Sequence, residues 1–237
     1  MIKFFRNIRK NLLSEGKTTK YLKYAIGEIV LVVIGILIAL QISNWNETIK
    51  NRQFESEIIA LIDNNLLQDS TLLASELNKS KLANASTVRL LDQVSKGVYN
   101  DSLNYMMGDI INFQRFQSQS SAFEVLKSKG IENIRDNQLQ LALIEYYDQT
   151  LFNTYETISD IEKSFNTDWI PIVKQEFSDF NWMDYAVPID SKAFFEKPST
   201  LVLFKLFNDN RAGQIHAMEK ALQKITEIRS LITSKKE

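Results

Sequence analysis

The chain has 237 residues, no cysteine and nearly balanced charge, 28 Lys and Arg against 29 Asp and Glu. The missing thiols exclude disulfides, iron–sulfur clusters, cysteine nucleophiles and Cys-based zinc sites, and leave the redox compartment open. Seven glycines and three prolines are too few for the turns of an all-β fold or for glycine-rich phosphate loops, so the composition points to an all-α architecture.

The charge is unevenly placed. Residues 1–23 carry seven basic side chains and the single acid Glu15, which leaves 21 basic and 28 acidic residues for the remainder. The larger part therefore has no basic field to gather phosphates, and a nucleic-acid partner is not expected. Within the first segment Ile2, Phe4, Phe5, Ile8, Leu12 and Leu13 recur at helical spacing between the cations. This predicts a cytoplasmic amphipathic helix lying on the lipid bilayer, the simpler alternative being a basic tail that only sets topology. Gly16 ends it, and Thr18 or Thr19 can cap the next helix.

Residues 24–45 read as one transmembrane helix. From Ile29 to Leu40 there are ten large aliphatic side chains plus Gly35 and Ala39, and at about −0.3 to −0.6 kcal/mol per central aliphatic residue the run favours insertion by several kcal/mol. Twenty-two residues at about 1.5 Å each cover roughly 33 Å, enough for a hydrocarbon core. Tyr24 and Trp45 stand where interfacial aromatics belong. A buried core helix is the competing reading, but no polar stripe runs along the segment. A cleaved leader is another, but Gln41 stands where a small residue should precede cleavage. Positive-inside places the N-terminus in the cytoplasm and residues 46–237 outside.

Between Gly35 and Gly97 there is neither glycine nor proline, so the transmembrane helix is expected to continue as a long helix, bent or interrupted near 78–86 and ending at Gly97. Its apolar stripe is Phe54, Ile58, Ile62, Leu66, Leu73 and Leu77, followed by Leu82, Val88, Leu91 and Val94. Two short helices come next, Tyr105 to Phe116 and Ser121 to Lys129, the second with Ser120 or Ser121 and Glu124 placed for a capping box and Gly130 as its stop. Asp136 starts a long helix that runs to the region of Trp169 and Pro171. The window with Pro171, Pro188 and Pro198 also holds Phe177, Phe180, Trp182, Tyr185, Phe194 and Phe195, either plugging a helical bundle or forming a binding surface. A short helix to Phe207 and a final one from Ala212 to Ile232 complete an all-helical domain on the far side of the membrane, with coiled-coil character along its long helices.

No constellation marks catalysis, a cofactor or a metal. His216 is the only histidine, and with Glu219 it supplies at most half of a bundle metal site. Acid pairs such as Glu55 with Glu57 or Asp179 with Asp184 are the minimum for glycoside hydrolysis, with nothing to single one out. Two features of the span are better candidates. Glu28 is an intramembrane ionisable residue that either snorkels to the cytoplasmic interface or has a partner-linked role. Gly27, Gly35, Ala39 and Ser43, at multiples of four with Leu31 as the exception, form a candidate helix–helix contact for a homo-oligomer or another membrane protein.

The run YAIGEIVLVVIGILIALQISNWNE from Tyr24 to Glu47, behind MIKFFRNIRKNLLSEGK, closely resembles a family of uncharacterised single-pass membrane proteins of unknown function found in flavobacteria and related Bacteroidota. Ser121 to Gly130 with Ile131, Ile134, Leu139, Ile144, Tyr146 and Tyr147 looks like that family's second recurring segment. The resemblance implies a bacterial inner-membrane setting and supplies no catalytic residues. Together these features predict a membrane-anchored scaffold or accessory protein. The alternative is a ligand-sensing periplasmic domain with a separate output partner, and a carboxylate hydrolase comes third.

Overall fold

The computed structural model describes the backbone of residues 18–234 and the side chains of residues 22–234. The amphipathic segment expected before residue 18 lies outside the described residues. The chain divides into two units, Met1–Glu55 and Ser56–Glu237.

The first element, α1, is a 78-residue helix, Thr18–Ser95. Its part in the first unit holds the stretch that is long and apolar enough to cross a membrane, with a mean hydropathy of 2.6 and none of it buried. In the second unit α1 continues from Ser56 without the interruption expected near 78–86. It ends as the glycine signal indicated. Gly97 takes φ +70°, Gly97 N–H donates to Val94 O and Val98 N–H to Gln93 O, both at 3.0 Å, the paired bonds of a Schellman cap.

Helix α2, Ser102–Ile110, is shorter than expected, and residues 111–120 form an irregular connector. Helix α3 is Ser121–Lys129, with Gly130 at φ +104° as its stop. The capping box is not made: Ser120 is itself helical in φ and ψ and its side chain bonds no backbone amide. Asp136 does cap the next helix, its carboxylate accepting from Gln138 N–H at 2.7 Å and Leu139 N–H at 3.1 Å.

Residues 137–176 are helical throughout but not uniformly α. Helices α4 (Asn137–Ile144), α5 (Leu151–Ser164) and α6 (Ile170–Glu176) are separated by π turns at Glu145–Thr150 and Phe165–Trp169. Across each turn an amide reaches back five residues, Leu151 to Tyr146 O and Ile170 to Phe165 O. Pro171 is accommodated at the start of α6 because the i to i−4 ladder is already displaced there.

The aromatic window corrects the all-α expectation. Phe177–Asn181 (β1) and Tyr185–Pro188 (β2) form an antiparallel hairpin with a bulge between Phe177 and Asp179. Its turn holds Met183 at φ +64°, a left-handed conformation costing about 1–2 kcal/mol for a residue with a Cβ. The turn backbone lies on α2 at Gly108, where any Cβ would overlap the Asp184 carbonyl. The structure remains about 83% helical. A short helix, α7 (Ser191–Phe195), leads to α8, a single helix Pro198–Thr233 in place of the two expected.

Within the second unit α8 runs antiparallel to α1, as Asn84–Asn208, Ser80–Gln214 and Asp63–Arg229 contacts show, and antiparallel to the 137–176 rod, as Trp169–Phe207 and Glu145–Lys224 show. The main apolar core gathers Leu90, Met107, Ile110, Ile161, Trp169, Phe195, Phe204 and Phe207 at one end. Phe194 and Phe195 belong to that core, while Trp182 is 38% and Ile189 68% exposed. Most of the aromatic window is thus packing.

Candidate functional site: the polar seam of the first helix

Burial along the second part of α1 follows a seven-residue repeat. One series is Ile62, Asp69, Glu76, Ala83 and Leu90; the other, four residues later, is Leu66, Leu73, Ser80, Thr87 and Val94, and all ten are buried. Alternating steps of four and three keep one face of a helix turned to its neighbours. The expected stripe drifted from that face: Leu82 and Val88 are 49% and 58% exposed. Polar residues occupy the middle of the seam, and each needs a partner because an unpaired buried polar group costs about 1–3 kcal/mol.

Asp69 is wholly buried and accepts three hydrogen bonds. Its Oδ2 takes the Ser118 hydroxyl proton and, at 2.9 Å, that of Tyr146; its Oδ1 takes Gln119 N–H at 2.8 Å. Beside them Ser118 N–H donates to the Tyr155 hydroxyl at 2.9 Å. Tyr146 and Tyr147 are adjacent in the first π turn, and the widened turn lets both rings face inward: Tyr146 is fully buried, and Tyr147 stacks on Phe123 with centroids 4.2 Å apart. Burial first, and the Asp69 charge second, push both phenols far above their usual range. Tyr155 is raised by burial first, and by Asp69 in addition. All three serve as neutral phenols at physiological pH.

Three turns along the seam, Ser80 donates to Gln214 Oε1 at 3.0 Å, opposite the buried Arg211 of α8. The Arg211 guanidinium donates to Ile110 O at 3.0 Å and Asn112 O at 2.7 Å and stacks over Phe207 at 5.2 Å. Burial pushes its pKa down to about 10, partly offset by the Glu76 carboxylate, so it stays charged at neutral pH. Further on, Ser86 donates to Asp109 at 2.8 Å and accepts from Arg89 at 2.9 Å.

Two of the buried charged residues, Arg211 and Asp69, therefore hold the same element. Arg211 grips the start of the connector and Asp69 its end, while Arg115 between them pairs with Glu162 of α5. Such a network chemically does what buried charge with complete hydrogen bonding does, which is to specify one arrangement of its neighbours.

The residues singled out from sequence lie elsewhere. Gly27, Gly35, Ala39 and Ser43 are on the uncovered surface of α1, and a Cβ at either glycine meets nothing within 4 Å. Steps of four advance about 40° each, so the four trace a spiral around the helix rather than a straight stripe. Glu28 is half-buried and lines a hollow with Lys23, Tyr24, Gly27 and Leu31. His216 is exposed, and its neighbour Glu219 pairs with Lys81 at 2.6 Å. Among the described residues no group of three or more His, Asp or Glu is gathered as a metal would require.

Sequence reasoning passed over Asp69 because a carboxylate in a helix is usually solvated. Its position seven residues from both Ile62 and Glu76, inside the repeat, was the available signal. No curated protein and no solved structure matches the chain. A family model matches residues 28–167, a stretch that takes in Asp69, the connector and the first π turn and stops short of the hairpin and Arg211. The chain thus belongs to DUF6090, a family of unknown function.

Proposed function

We propose that this is a single-pass bacterial inner-membrane protein, with its N-terminus in the cytoplasm and residues 46–237 in the periplasm as a helical-bundle domain. That domain acts by binding other proteins or further copies of the chain, as a scaffold or accessory subunit without a catalytic step of its own. The observation that carries the reading is the uncovered apolar surface of α1. From Leu22 to Ile42 its large aliphatic side chains are about half exposed or more, for example Leu31 at 62% and Leu37 at 59%. In water that surface is unfavourable by about 25 cal/mol per Å², and lipid removes the cost.

The cysteine-free sequence makes the topology directly measurable. A single cysteine placed at Ser234 should react with a membrane-impermeant maleimide in cells whose outer membrane is opened, whereas one placed at Ser14 should react only after lysis. The reverse pattern would overturn the orientation, and release of the protein by carbonate washing would overturn the anchor. The interaction role is tested by cross-linking in intact cells, where recovery of neither a partner nor a dimer would sink it.

A further inference from the structure

The connector of residues 111–120 is tied to the fold by side chains of other elements rather than by a backbone ladder of its own. Its two ends are held differently. At the first, Ile110 and Ile111 are buried in the main core, Phe113 packs on Phe165 and Trp182, and Arg211 binds the Ile110 and Asn112 carbonyls. At the second, the apolar contribution is Phe116 stacked on Tyr155 with centroids 6.0 Å apart, and the polar bonds converge on one carboxylate, Asp69, with Tyr155 beside it. Between them Gln114 and Arg115 reach only Lys79, Met183 and Glu162, and the Arg115 side chain is 75% exposed.

We propose that residues 114–119 form a strap that opens as one piece, hinged at the Arg211 end and latched by Asp69. Local opening follows the weakest set of tertiary contacts, and here apolar burial is dense at the hinge and sparse at the latch. Opening requires no movement of α1 or of the 137–176 rod. It uncovers the Asp69 carboxylate and the Tyr155 hydroxyl, which the closed strap satisfies through Ser118 and Gln119, together with the Tyr146 hydroxyl that donates to Asp69. The inference concerns this latch alone and stands whether or not the proposed partner-binding role is correct.

The strap carries its own reporter, the Arg115–Phe116 bond. The full chain in detergent micelles is exposed to trypsin across a urea series below the unfolding transition, and cleavage is located by mass spectrometry. In the wild type, cutting at Arg115 should be nearly independent of urea, the mark of a local opening. Asp69→Asn, which keeps the shape but removes the charge, should speed that cut about tenfold or more and leave other sites within residues 56–234 unchanged. Ser118→Ala, trimmed on the strap itself and safe for folding, should speed it about threefold. Cleavage at Arg115 that tracks global unfolding in the wild type, or a Ser118→Ala rate equal to wild type, would overturn the latch.

Discussion

The two parts of α1 invert the usual relation between hydropathy and burial. Residues 22–45 form the most apolar stretch of the chain, and they are exposed; residues 62–94 carry Asp69, Glu76, Ser80 and Thr87 on their buried face. One helix thus meets two environments. Where other elements of the fold cover it, Asp69, Glu76, Ser80 and Thr87 are acceptable because they are hydrogen-bonded, and where none do, uniform apolarity suits the lipid surroundings we propose. Hydropathy reports the medium, and periodicity reports the neighbour.

The largest effects should come from unpairing the buried seam. Arg211→Leu leaves the Ile110 and Asn112 carbonyls without the guanidinium that binds them, and should destabilise the second unit by about 3–5 kcal/mol in denaturant titration. A charge in the other region should leave that titration unchanged. Leu37→Arg is expected to reduce membrane insertion by about 2.5–3.5 kcal/mol, read as loss of protein from the membrane fraction. Gly108→Ala should lower stability by about 1–3 kcal/mol, since the new methyl must displace the hairpin backbone at Asp184.

A pH effect is expected to be smaller and directional. Tyr146 and Tyr147 have folded-state values raised above the ordinary 10.0, so the unfolded chain loses those protons first. Their contribution is complete below about pH 10 and is lost as pH rises beyond it. Arg211, lowered to about 10, works in the opposite direction above that value. Comparing wild type with Tyr146→Phe isolates the phenol: the wild type should lose stability more steeply between about pH 9.5 and 11. The smallest change should come from Glu219→Gln, which breaks the exposed Lys81 pair and should cost no more than about 0.5 kcal/mol.

Much of the helical framework was legible because its punctuation is chemical. Gly97 and Gly130 stop helices by adopting positive φ, and Asp136 starts one with its carboxylate. The hairpin was hidden because its turn offers Met183 where a glycine or asparagine would have announced a left-handed residue. The π turns leave no compositional mark, since EYYDQT reads as ordinary helix. The seam was read along its hydrophobes, and the residues at its centre are hydrophilic. Leu82 and Val88 lie off the buried face, and Ser80, Ala83 and Thr87 carry the repeat through the region where a bend or interruption was expected. The buried site was therefore the least visible part, because its residues are paired by contacts far apart in sequence, such as Asp69 with Ser118 and Tyr146.

The contrast within α1 is tested most directly by a cysteine scan of the cysteine-free chain in native membranes. Single cysteines at Leu31, Ile36, Ser80, Leu82, Ala83 and Val88 would be reacted with a water-soluble maleimide before and after denaturation. Positions 82 and 88 should label at once, 80 and 83 only after unfolding, and 31 and 36 only after the lipid is dissolved. Labelling of position 36 in intact membranes as fast as position 82 would contradict the account.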